Sequence, residues 1–188
     1  MLRKSIIILF FALLLAACGE EFDADFSKEV QDFTFTNQDG ETFSKEELDG
    51  KVWVSNMIFT NCNTICPALT ANMGRLQKLL DEEGVEAELV SFTVDPENDS
   101  PEVLKEFIKN HGGEFDNWNA LTGYEFEEIQ SLAMDSFGAP VERIEGSDQF
   151  LHVNRFFLVD SDGIMVKRYD GEQAEKMTEI VEDIKLLQ

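Results

Sequence analysis

The sequence predicts an α/β fold, a mixed sheet with helices on both faces and a small β-hairpin added on its N-terminal side. Three observations predict it. Residues 52–59 and 89–94 are short, mostly apolar runs, as expected of strands covered on both faces. The first run is followed by apolar residues at helical spacing: Leu69, Met73, Leu76, Leu79 and Leu80. The full order, hairpin–β–α–β–α–β–α–β–β–α, ends on two adjacent strands before a last helix, which fits a mixed sheet.

The elements follow in chain order. Phe33 and Phe35 alternate with polar residues, Asp39-Gly40 marks a turn and Phe43 follows, the pattern of a hairpin. Ser44-Lys45-Glu46-Glu47 has the spacing of a capping box for a short helix stopping at Asp49-Gly50. Pro67 opens the helix that runs to Gly84. Ser100-Pro101 caps another, through Val103, Leu104, Phe107 and Ile108 to Gly112-Gly113. Residues 118–121 make a short strand, and residues 124–137 an amphipathic helix closed by Gly138. Residues 139–150 read as a polar loop. Strands over 152–159 and 164–169 flank the turn Asp160-Ser161-Asp162-Gly163. The last helix, 173–187, places Met177, Ile180, Val181, Ile184 and Leu187 on one face.

The N-terminus is an export signal. Arg3 and Lys4 precede an uncharged apolar run from Ile6 to Leu15, then Ala16, Ala17 and Cys18. The run is too short to span a bilayer, which takes roughly 20 apolar residues. Leu15-Ala16-Ala17-Cys18 resembles the bacterial lipobox, which implies cleavage before Cys18 and its acylation. Three regions result: a signal peptide over 1–17, an acidic tether over 18–30 from lipidated Cys18, and one domain over 31–188. The expected location is the extracytoplasmic face of the cell membrane, held by the lipid anchor. Without Arg3 and Lys4 the chain carries 38 acids against 13 bases, a formal −25. Such a field repels phosphate backbones, so nucleic acid is not a partner. A monomer is expected.

With Cys18 assigned to the lipid, Cys62 and Cys66 are the thiols of the exported domain. They lie where a buried strand gives way to a helix, in Phe59-Thr60-Asn61-Cys62-Asn63-Thr64-Ile65-Cys66-Pro67. A helix N-terminus favours thiolate over thiol, and residues four apart can share one ion or close a disulfide. A bridge over three intervening residues closes so small a loop that it would stabilise weakly. A redox or metal role is the better reading, and two soft sulfurs suit Cu(I) or Zn rather than Mg or Ca.

Of the two histidines, His111 ends a helix, where a cation suits the dipole, and stays outside the site. His152 opens a strand at the sheet end that would meet the cysteines if that strand runs antiparallel to theirs. Its imidazole would complete a two-sulfur, one-nitrogen copper set. Asp95, in Asp95-Pro96-Glu97-Asn98-Asp99-Ser100-Pro101, ends the strand beside the cysteine strand. It serves as a turn residue or orients a ligand. The six methionines are scattered and form no copper-binding cluster.

Taken together, the cysteine segment, the 95–101 turn and His152 ahead of Phe157-Leu158-Val159-Asp160-Ser161-Asp162-Gly163 resemble the Sco/SenC family, over roughly residues 28–187. The resemblance implies a thioredoxin-like fold with a copper site of Cys62, Cys66 and His152. It also implies delivery of copper to, or reduction of cysteines in, the binuclear copper site of cytochrome c oxidase subunit II. Asn63 departs from the proline that many members carry after the first cysteine, a departure that replaces none of the implied ligand residues. An ordinary thioredoxin-type reductase resembles its relatives in a C-x-x-C pair and a later cis-proline. Here the pair is C-x-x-x-C, and no proline follows Pro140.

Three functions compete. A copper metallochaperone needs both cysteines and His152. A thiol-disulfide oxidoreductase needs Cys62 to attack and Cys66 to resolve. A thiol peroxidase would use Cys62 with an arginine beside it, for which Arg75 and Arg155 have no special spacing.

Overall fold

The computed structural model describes residues 22–62 and 64–188. The signal segment, the lipobox and Cys18 lie outside the described residues. Ten strands and four α-helices are described: β1 (Lys28–Glu29), β2 (Thr34–Thr36), β3 (Thr42–Ser44), β4 (Trp53–Ile58), α1 (Cys66–Glu83), β5 (Glu88–Thr93), α2 (Pro101–Asn110), β6 (Trp118–Leu121), α3 (Phe126–Phe137), β7 (Glu142–Arg143), β8 (Phe150–Leu151), β9 (Arg155–Val159), β10 (Ile164–Asp170) and α4 (Lys176–Leu187). A 3-10 helix, Lys45–Leu48, fills the expected capping-box position.

The central sheet has the order β1-β10-β9-β4-β5-β6. β4, β5 and β6 are parallel, while β9 runs antiparallel to β4 and β10 antiparallel to β9. The mixed sheet therefore forms as the sequence indicates, and β2–β3 is the N-terminal hairpin. Two apolar layers cover the sheet. Trp53, Met57, Phe59, Phe92, Phe137 and Phe157 pack on one face. Val54, Ile58, Leu76, Leu89, Trp118, Phe156 and Ile180 pack on the other. Burying strands on both sides is what makes residues 53–58 continuously apolar apart from Ser55 and Asn56.

Three segments differ from the sequence reading. The first is that β9 begins at Arg155, so His152 lies in the connector ahead of the strand instead of opening it. The described part of the acidic 18–30 stretch lies along the edge of β10. Lys28 pairs with Met165, Phe26 N–H donates to the Val166 carbonyl at 3.0 Å, and Val30 is fully buried. The cause is that β10 is an edge strand whose free backbone groups accept a partner. The loop read over 139–150 is partly a second hairpin, β7–β8, with Arg143 opposite Phe150. Both strands are two residues long, too short to show a period.

Candidate metal centre

The site sits at the C-terminal end of β4, where parallel strands open toward the helix that follows. Cys62 closes the loop from β4, and Cys66 is the first residue of α1. Helix geometry leaves the first N–H groups of α1 without partners. One of them is used here, because Cys66 N–H donates to Cys62 Sγ at 3.4 Å. Thr64 Oγ1 stands 3.6 Å from the same sulfur. Pro67 has no N–H to satisfy, which suits the first turn.

The antiparallel pairing of β4 with β9 brings the third residue. Ser55 lies opposite Phe157, so the chain entering β9 arrives level with the end of β4. His152 lies just ahead of it, with Nε2 3.6 Å from Cys66 Sγ. Its Nδ1 stands 3.1 Å from the Val153 carbonyl. That contact places the ring proton on Nδ1 and leaves the Nε2 lone pair toward the sulfur. Phe59 meets the imidazole edge-on at 5.7 Å, and the Phe150 ring packs against Phe59 at 5.3 Å.

The two thiols are electrostatically unlike. Burial opposes ionisation of Cys62, but hydrogen bonds from the Cys66 thiol, the Cys66 N–H and Thr64 outweigh it and bring its pKa below the usual value. Burial pushes the Cys66 thiol strongly up, aided by its bond to Cys62 and by the negative charges of Cys62 and Asp99. His152 is pushed down by burial, against its bond to Val153, so its neutral form is favoured. Iodoacetamide is therefore expected to modify Cys62 of the reduced protein well before Cys66, with half-maximal rate below pH 9. Peptide mass analysis after timed quenching checks this, and equal labelling of the two sulfurs would contradict it.

The donor chemistry fits copper. Two donors on one ion, at bonds of about 2.0–2.3 Å, stand roughly 3.6 Å apart. That is the Cys66–His152 separation. Among the described residues no group of three His, Cys, Asp or Glu side chains is already gathered around one point.

Asp95, the candidate orienting residue, turns into its own loop. Both its carboxylate oxygens accept from Asn98 Nδ2, at 2.9 and 3.0 Å. The carboxylate that reaches the cysteine loop is Asp99, which is fully buried. It accepts from Thr60 N–H at 3.2 Å, from Thr60 Oγ1 at 2.5 Å and from Thr93 Oγ1. Thr60 is two residues before Cys62, so Asp99 fixes where the loop leaves β4. Burial raises its pKa against these bonds. A second tie comes from the β7–β8 hairpin: Asn61 Nδ2 donates to Asp148 at 2.7 Å, and Gln149 Nε2 to the Asn61 carbonyl at 3.3 Å. The hairpin that carries the chain into His152 thus also grips the cysteine loop. His111 stays apart, its Nδ1 2.7 Å from the Phe107 carbonyl at the end of α2.

A thioredoxin-like sheet with two unlike thiols at a helix start, faced by an imidazole from the connector that leads into the antiparallel strand, defines a thiol-based redox or soft-metal protein. Residues 23–187 match the SCO1/SenC family, and the chain belongs to it. The SCO1 protein homolog of Bacillus subtilis is 46% identical over 177 residues, covering 94% of this chain and 92% of its own. BsSco, described as a Sco family cytochrome c oxidase assembly protein with a disulfide switch, superposes with a TM-score of 0.80 at 47% identity, over 87% of this chain and 95% of its own. A SCO1/SenC family lipoprotein of Bacillus anthracis gives 0.83 at 42%, over 87% and 98%. Yeast Sco1 with copper bound gives 0.66 at 27%, over 84% and 89%.

Proposed function

We propose that this chain is a lipid-anchored copper protein of the extracytoplasmic membrane face, which carries copper to the binuclear site of cytochrome c oxidase subunit II. The observation that carries the reading is the 3.6 Å approach of Cys66 Sγ to His152 Nε2, with Cys62 one helical turn away. The copper-bound yeast relative and the oxidase-assembly relative support it. The lipobox at Leu15–Cys18 and the Bacillus anthracis lipoprotein support the anchor. Copper is the cargo: Cys62 and Cys66 supply thiolates, and His152 supplies a neutral nitrogen. The domain acts as a monomer in this reading.

A second reading rests on the unequal thiols, and the disulfide switch of BsSco supports it. The Cys62 thiolate attacks one sulfur of a partner disulfide, forming a mixed disulfide and releasing the other sulfur as thiolate. Cys66 gives its proton to His152 and attacks Cys62 Sγ. The partner's second sulfur leaves reduced, and a Cys62–Cys66 disulfide remains. Two electrons pass to the partner.

One experiment separates the readings. Copper-loaded protein is mixed with a soluble subunit II domain whose acceptor cysteines are already reduced and metal-free. The carrier reading expects the acceptor's binuclear copper absorption to appear without any exogenous copper. If copper stays on the carrier while an oxidised acceptor is readily reduced by the metal-free form, the reductase reading replaces it.

A further inference from the structure

The imidazole reaches the thiols from an arm that has little structure of its own. His152 directly follows β8, and β7–β8 has two residues in each strand. A two-stranded ribbon alone is marginally stable, so what the hairpin docks against decides where His152 stands. Its inner contact is a row of rings. Phe150 lies 5.3 Å from Phe59, and Phe59 meets His152 at 5.7 Å, so one buried ring carries both. Phe59 also holds the cysteine loop, since its carbonyl accepts from Cys62 N–H at 3.4 Å.

The outer end of that row is closed by Arg143, which lies opposite Phe150 in the hairpin register. Its guanidinium is 5.4 Å from the Phe150 ring and 4.5 Å from that of Phe126, the first residue of α3. The same group donates to Glu97 Oε1 at 2.5 Å. Glu97 stands in the turn after β5, two residues before Asp99. Asp95 braces that turn: its carboxylate accepts from Asn98 Nδ2, and its carbonyl accepts from the N–H groups of Asn98 and Asp99. One turn therefore grips both arms of the site. Asp99 holds Thr60 at the start of the cysteine loop, and Glu97 holds Arg143 at the base of the histidine arm. We infer that Arg143 is a positioning residue for His152, through which the 95–101 turn sets the spacing between sulfur and imidazole. An exposed ion pair alone contributes little. The planar guanidinium lying over two rings adds a hold that a lysine ammonium reproduces only in part. The inference rests on the three-donor site proposed above, and the experiment distinguishes the failure of each.

In the reduced, metal-free protein, nuclear Overhauser contacts between the Phe59 and His152 rings read the position of the arm without copper. Arg143→Gln is expected to weaken these contacts, and Arg143→Lys to restore them only in part. The Cu(II) affinity of Arg143→Gln should fall about 3–10-fold, the worth of one exposed ion pair and one cation–ring contact. In a His152→Ala background the same substitution should cost less than about twofold, because the residue it positions is gone. Unchanged ring contacts in Arg143→Gln, or an equal loss of affinity with and without His152, would overturn the inference. Wild type that binds no copper, or His152→Ala that binds it unchanged, would overturn the copper site instead. The ring contacts alone would then decide the role of Arg143.

Discussion

Replacing His152 with alanine is expected to lower Cu(II) affinity by more than the 10–100-fold that losing an outer partner of a ligand costs. The sulfur-to-copper charge-transfer band should shift or weaken, because both thiols remain. Cys62→Ser/Cys66→Ser should remove the band and tight binding altogether. The reason is geometric: His152 Nε2 is the nitrogen already facing Cys66 Sγ, and its other nitrogen is committed to the Val153 carbonyl. Titration of the reduced domain from residue 19 onward, followed by absorption and by isothermal calorimetry, measures both effects. Unchanged affinity and spectrum in His152→Ala would remove His152 from the site. Far-ultraviolet dichroism of each variant separates loss of a ligand from loss of the fold.

Asp99 is expected to give the largest effect of any residue that touches no ligand. In Asp99→Ala, Thr60 N–H and the Thr60 and Thr93 hydroxyls lose their shared acceptor. A buried donor left unpaired costs about 1–3 kcal/mol, so a loss of about 2–4 kcal/mol in urea denaturation is expected. Copper affinity should fall as well, since the loop bearing Cys62 is no longer fixed at its start. Asp99→Asn keeps an acceptor oxygen and should recover most of the stability.

The pair also has a pH signature. Burial raises the Asp99 pKa, so between its unfolded and folded values the folded chain binds more protons than the unfolded one. This contribution is fully present below the unfolded carboxylate value and is lost as pH rises through the raised one. The stability of wild type relative to Asp99→Asn should therefore decline on going from about pH 4 upward and then level off. A difference that is flat with pH would show that Asp99 is ionised in the fold as readily as in the unfolded chain.

These residues show how far the sequence alone could be read. The strand-to-helix junction at Cys62 and Cys66 is legible because apolar runs, a proline and helical spacing are local signals. His152 is legible only through topology: its relevance follows from β9 being antiparallel to β4, as the pairing of Ser55 with Phe157 confirms. Asp99 is not legible in that way. Asp95 and Asp99 share one turn, and the backbone decides which carboxylate faces Thr60 and which faces Asn98. The docking of residues 22–30 is hidden for another reason. Its two-residue strand has no period of its own, and its position is dictated by the open edge of β10, which lies more than 130 residues later. The β7–β8 hairpin, with strands equally short, escapes detection on the same ground.

The donors come from distant parts of the chain: Cys66 and His152 are 86 residues apart. A chain emerging from its N-terminus presents both thiols long before the imidazole arrives. Until β9 has closed against β4, the thiols alone cannot form the three-donor site. In the carrier reading proposed above, the complete three-donor site therefore awaits the closure of β9 against β4.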